Sequence, residues 1–184
     1  MESVFFQTLQ NVICDISDAL IYIPQGFLFG AVLVAVLLLW RSKYKKEYPS
    51  AHKIAAVFLS GVYAVVYVYL TFLSREPGSR TGRDWQLFAT WGISYLPDAY
   101  FIENILLFIP FGTLLPVMVQ KVQKLRYCVI AGALVSVVTE GIQLIMQRGH
   151  CQTDDVVTNV LGTVIGWIVW RGFVNVKMLN AVER

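Results

Sequence analysis

Charge is scarce in this chain. Only 15% of its residues are Asp, Glu, Lys or Arg, where a soluble domain carries about 25%. With 57% hydrophobic residues and a mean hydropathy of +0.60, that shortage excludes an ordinary water-soluble globule. Cysteine and histidine are also rare. Cys14, Cys128 and Cys151 have no metal-ligand spacing, and His52 and His150 form no His-x-x-x-His pair, so neither a metal nor another cofactor is expected. A nucleophile elbow is missing too. The first twenty residues contain no lysine or arginine, so they lack the positive region of a secretory signal. There is no internal repeat, low-complexity tract or soluble domain.

What the sequence does have is five apolar runs of membrane-spanning length, roughly 17–25 residues each. They cover about Ile21–Trp40, Ile54–Leu73, Phe101–Val119, Tyr127–Met146 and Val156–Gly172. Pro110 and Pro116 make the third the weakest, although a bundle can satisfy the carbonyls a proline frees. The expected fold is therefore all-α, an integral membrane bundle of about five helices forming a single domain over 21–184. Ahead of it, Phe5, Leu9, Val12, Ile13, Ile16 and Leu20 recur at helical spacing, so residues 1–20 are expected to lie on the membrane interface as a short amphipathic helix.

Orientation follows from the basic residues. Arg41, Lys43, Lys45, Lys46, Lys53, Lys121, Lys124, Arg126, Arg171, Lys177 and Arg184 fall on one side of these spans, and only Arg75, Arg80, Arg83 and Arg148 on the other. Because positive charge marks the cytoplasmic side, a multi-pass protein of the cell membrane with its N-terminus outside and C-terminus inside is expected. The net charge of +3 is a by-product of this bias and argues for no nucleic-acid partner. Cys14 and Cys151 then share the outer side, which leaves a disulfide between them open.

Within the fourth run, CVIAGALVSVVTEGIQLIM, sits Glu140. A charge at membrane depth costs about 2.5–3.5 kcal/mol on insertion scales, so it normally has a partner and a purpose. Other polar residues gather at the same outer depth: Arg75, Glu103, Asn104, Gln143, Arg148, His150, Asp154, Asp155 and Asn159. Helical spacing sorts them into stripes. These are Gly132, Ser136, Glu140, Gln143 and Gln147; Asp155, Asn159, Gly162 and Gly166; Asn104, Phe108, Gly112 and Pro116; and Ala64, Tyr67, Thr71 and Arg75. Small residues admit close helix approach and polar ones bond across the seam, so the stripes should face each other. Plainer readings stand beside this one. Gly26, Gly30, Gly162 and Gly166 can be packing residues. Asp154 and Asp155 can complement the dipole of a helix capped by Thr153, and His150 can be a solvated loop residue. Glu140 can be a structural hydrogen-bonding group, as the neutral acid or paired with Arg148 or Arg75.

This constellation resembles the VanZ-like family of small membrane proteins over roughly residues 67–170. The resemblance rests on Thr71 and Arg75 in LTFLSR, Asn104 to Gly112 in NILLFIPFG, and Glu140 and Gln143 in TEGIQL. Arg148, Gly149, Asp154, Asp155, Asn159, Gly162 and Gly166 complete it. At Gln152 the chain departs from a pattern in which relatives often carry an acid. The resemblance implies an envelope role, and the family's founding member is associated with low-level resistance to teicoplanin, a lipid-tailed glycopeptide.

The reading favoured is a binding protein. Its outward polar cavity would hold a lipid-linked or lipid-tailed anionic ligand, such as a lipoglycopeptide or a lipid-linked cell-wall precursor, among membrane lipids. Arg75 and Arg148 would pair with the anion, and Asn104, Glu140, Gln143, Asp154, Asp155 and Asn159 would complete the polar cluster. The alternative is a membrane-embedded enzyme acting on a lipid-linked envelope substrate, in which Glu140 near Asp154, Asp155 and His150 would bind a hard metal or perform acid–base chemistry, although no nucleophile is evident. A flippase would need acids in the inner half, which the sequence lacks, and an oligomer. A structural partner in an envelope complex is the remaining reading.

Overall fold

The computed structural model describes residues 2–74, 78, 83–84, 95–147 and 151–182. Among the described residues there are six α-helices: α1 Glu2–Leu20, α2 Ile23–Lys43, α3 Ala51–Val68, α4 Tyr95–Met118, α5 Leu125–Met146 and α6 Thr153–Val182. A π-helical turn, Tyr69–Leu73, continues α3, and a short 3-10 turn, Gln120–Gln123, precedes α5. Among the described residues, five segments are long and apolar enough to cross a membrane: Ile23–Lys43, Ala51–Leu73, Ala99–Met118, Leu125–Met146 and Asp154–Asn175. The chain is an all-α membrane protein, as its apolar runs imply.

The distribution of side chains is inverted relative to a soluble protein. Large aliphatic residues such as Leu28, Leu39 and Ile145 stand on the outside, while Thr71, Ser136, Thr139, Glu140, Gln143, Thr158, Asn159 and Thr163 are buried. Lipid is as apolar as leucine, so burying aliphatic surface between helices gains little there, and association relies on close packing and interhelical hydrogen bonds. Glycines provide the close packing. A Cβ at Gly112 would meet the Thr163 carbonyl, one at Gly162 the Ile105 carbonyl, and one at Gly166 the Ile109 carbonyl, so α4 and α6 touch backbone to backbone. Gly132 of α5 receives the Thr163 side chain. The α2–α3 pair repeats the device, with Gly61 against Gly30 and Gly26 against Val62.

Pro110 and Pro116 do not interrupt α4, which runs unbroken through both, with Pro116 buried. The single hydroxyl proton of Thr113 is shared between the Ile109 carbonyl, 2.9 Å from Oγ1, and the Gly166 carbonyl of α6 at 3.1 Å, tying the proline-containing segment to its neighbour. At the end bearing the α2 C-terminus and the α5 N-terminus, Lys46 Nζ lies 4.2 Å from the Trp40 ring centroid and the Arg126 guanidinium 4.7 Å from that of Tyr127. Such cation–aromatic pairs suit a membrane–water interface.

α1 departs from the single apolar stripe expected of it. Phe6, Leu9, Ile13, Ile16 and Leu20 are exposed along one face, but Thr8, Val12 and Ala19 are buried on another, which packs on α4. Cys14 is a free, exposed thiol. At the same end, the Gly78 amide donates to the Gln147 carbonyl at 2.9 Å, and Arg83–Asp84 pair in parallel with Cys151–Gln152.

Candidate functional site

Each described site residue sits where a helix reaches one common end of the bundle. The α3 C-terminus, α4 N-terminus, α5 C-terminus and α6 N-terminus all meet there, because successive spans alternate in direction. The α4 and α6 stripes are buried at every position: Asn104, Phe108, Gly112 and Pro116, and Asp155, Asn159, Gly162 and Gly166. In the α3 stripe Thr71 is buried and Ala64 and Tyr67 are half-buried, and Arg75 lies outside the described residues. In α5, Gly132, Ser136, Glu140 and Gln143 are buried, but Gln147 is exposed. The helix ends there: Gln147 takes a left-handed conformation, φ 53°, the usual way to close a helix C-terminus.

The convergence encloses a cavity of about 570 Å³. Asn104 of α4, Glu140 and Gln143 of α5, and Asp155 and Asn159 of α6 all line it. Asp154, half-buried, is adjacent to the cavity residue Asp155 but does not line the cavity itself. Arg75, Arg148 and His150 lie outside the described residues.

Hydrogen bonds lock the floor. Asn104 Nδ2 donates to Asp155 Oδ1 at 2.8 Å, joining α4 to α6. Asn159 Nδ2 and Ser136 Oγ are 2.8 Å apart, joining α6 to α5. Gln143 Nε2 donates to the Thr71 carbonyl at 3.1 Å, joining α5 to the π-helical turn. In that turn the Ser74 amide reaches back five residues to the Tyr69 carbonyl, at 2.9 Å. π-helical turns recur at functional sites, where they re-aim side chains. The Tyr67 hydroxyl bonds Thr139 Oγ1, and the Tyr67 ring packs edge-on against Phe108 with centroids 5.8 Å apart.

The locking leaves a residue of unmet capacity. Gln143 Oε1, Asn159 Oδ1, Thr71 Oγ1 and Tyr63 Oη are buried with no hydrogen-bond partner among the described residues, and all four residues line the cavity. Buried polar groups are normally satisfied, and each orphan costs about 1–3 kcal/mol. Four carboxylates, Asp15, Glu103, Glu140 and Asp155, line the same space. Among the described residues, no group of three His, Cys, Asp or Glu is placed to hold a metal ion.

Several lining residues escape a stripe-by-stripe reading of the sequence. Thr139 neighbours Glu140 but faces α3. Asp15, Ile16 and Leu20 bring α1 into the wall; the spacing of Thr8, Val12, Asp15 and Ala19 is the signal for that second face. Ile16, Leu20 and Leu106 both line the cavity and stand exposed on the outer surface of the bundle. The cavity thus has a polar floor inside the bundle and an apolar rim exposed at the bundle's surface.

The family model described as VanZ/LLP1 matches residues 27–175, which include every described residue of the polar floor. No curated protein and no solved structure matches the chain.

Proposed function

We propose, from the premise that this chain belongs to the VanZ/LLP1 family, that it binds a lipid-linked or lipid-tailed ligand of the cell envelope. The head group lies in the polar cavity and the tail along the rim. The observation that carries this reading is the shared lining: Gln143 and Asn159 are almost fully buried at the floor, while Ile16, Leu20 and Leu106 of the same cavity face outward. A water-soluble ligand has no use for an apolar rim opening toward acyl chains. A plain lipid tail has no use for a floor of amides and carboxylates, which are costly at membrane depth.

The membrane is the cell membrane, with the cavity on its outer side and the lysine-rich end in the cytoplasm, as the positive-inside rule directs. Arg75 follows the cavity residue Ser74 in the chain, and Arg148 follows Gln147. Their guanidinium groups suit a phosphate or carboxylate on the ligand. A protein of this kind lowers the effective amount of a lipoglycopeptide, or shields the lipid-linked precursor it attacks, in keeping with the teicoplanin association of the founding relative.

The test is susceptibility to a lipoglycopeptide in a strain that the intact chain protects. Glu140→Gln and Arg148→Ala, expressed at wild-type level in the membrane, are expected to return susceptibility to that of the strain without the protein. Unchanged protection by both variants would overturn the reading.

A further inference from the structure

The hydrogen-bonding state of the floor narrows what can sit on it. Gln143 Nε2 is engaged by the Thr71 carbonyl, which can only accept, so the orientation of this amide is fixed and its Oε1 is left open. Asn104 Nδ2 is likewise engaged by Asp155. Asn159 is bonded to Ser136 and leaves Oδ1 open; the serine hydroxyl can serve in either sense, so Gln143 is the firmer marker. Gln143 is 2% exposed and Asn159 3%, so bulk water does not compensate these acceptors. The amide donors of Gln143 and Asn159 are engaged within the protein, and the acceptors left open belong to residues that line the cavity. An anion brought to this floor would meet oxygen atoms, whereas a donor would complete them.

We infer that the floor of the cavity selects a hydroxyl-rich, polyol or glycosyl, portion of the ligand's head group. This inference rests on the binding reading above and specifies which chemistry that site takes. Hydroxyls answer neutral amide acceptors without carrying a full charge into the bundle, whose desolvation an ammonium group would have to offset. The hydroxyls of Thr71 and Tyr63 add groups that accept from, or donate to, vicinal hydroxyls.

The full-length protein in amphipol is titrated with three lipids of identical acyl chains: phosphatidylinositol, phosphatidylmethanol and a trimethylammonium-propane lipid. The first two carry the same phosphodiester charge and differ in ring hydroxyls. Phosphatidylinositol is expected to bind at least about 10-fold more tightly than phosphatidylmethanol, the loss typical of leaving a built polar site unpaired. Gln143→Met is expected to abolish that difference while leaving phosphatidylmethanol affinity within about 2-fold. Asn159→Asp, which retains an acceptor, is expected to keep it. The wild-type comparison stands even if a variant fails to fold. Equal affinity for the two phosphodiesters, or tightest binding of the ammonium lipid, overturns the hydroxyl inference and leaves the binding reading in place. Binding of none of the three overturns both.

Discussion

Asn104 and Asp155 are 51 positions apart in sequence and joined by a 2.8 Å hydrogen bond, amide to carboxylate, across the α4–α6 seam. Both are at least nine-tenths buried. Their bond fixes the depth at which two helices enter the cavity wall, so its loss should register as stability as well as binding. Asn104→Ala is expected to destabilise the bundle by about 1–2 kcal/mol, within the range for hydrogen bonds inside membrane proteins. Asp155→Ala should cost a similar amount. The double variant should cost less than the sum by about 0.5 kcal/mol or more, as expected of residues in contact. Equilibrium unfolding in bicelles measures all three, and strict additivity would show that the two side chains do not act together.

The glycines of the α4–α6 seam make a sharper prediction because an internal control exists. A methyl group at Gly162 or Gly166 would run into a carbonyl of α4, and backbone cannot move aside as a flexible side chain can. Gly162→Ala and Gly166→Ala should each cost about 1–3 kcal/mol, the range for overpacking. Gly141 lies in the same cavity-bearing half of α5 but has nothing within 4 Å of an added Cβ. Gly141→Ala should be neutral or stabilising by up to about 1 kcal/mol, since alanine is the better helix former. Thermal denaturation in one detergent ranks the three variants.

Topology can be read with the native thiols. Cys14 is exposed on α1, and Cys128 is fully buried. In a Cys151→Ser background, a membrane-impermeant maleimide added to intact cells should label Cys14 and spare Cys128. A cysteine at Lys46→Cys should react only after permeabilisation. Labelling of Lys46→Cys on intact cells would reverse the orientation and put the cavity in the cytoplasmic half.

The convergence was legible in the sequence where a helix has one inward face. In α4 and α6 the stripes of small and polar residues at 3–4 spacing are buried at every position named, because lipid accepts the aliphatic remainder and rejects the rest. In α5 the stripe is too narrow and one turn too long. That helix packs beside both α6 and the α3 π-turn, so Thr139 is buried next to the Glu140 face, while Gln147 falls beyond the helix end. α1 shows why amphipathicity alone does not place a helix. Leu9, Ile13, Ile16 and Leu20 of its apolar stripe stay outside, while Val12 turns toward the bundle with Thr8, Asp15 and Ala19, since the interior here is itself partly polar. The π-turn at Tyr69–Leu73 left no mark in hydropathy, because a register shift of one residue changes hydrogen bonding and not composition.

The most direct measurement is native mass spectrometry of the protein extracted from its own membranes in a minimal polymer disc. Wild-type protein is expected to carry one tightly held lipid-linked molecule with a hydroxylated head group, released when Gln143 is replaced by Met and retained in Gly141→Ala. Protein that emerges bare, or that holds the same bulk phospholipids in the same proportion whether or not Gln143 is present, would contradict a cavity built to bind.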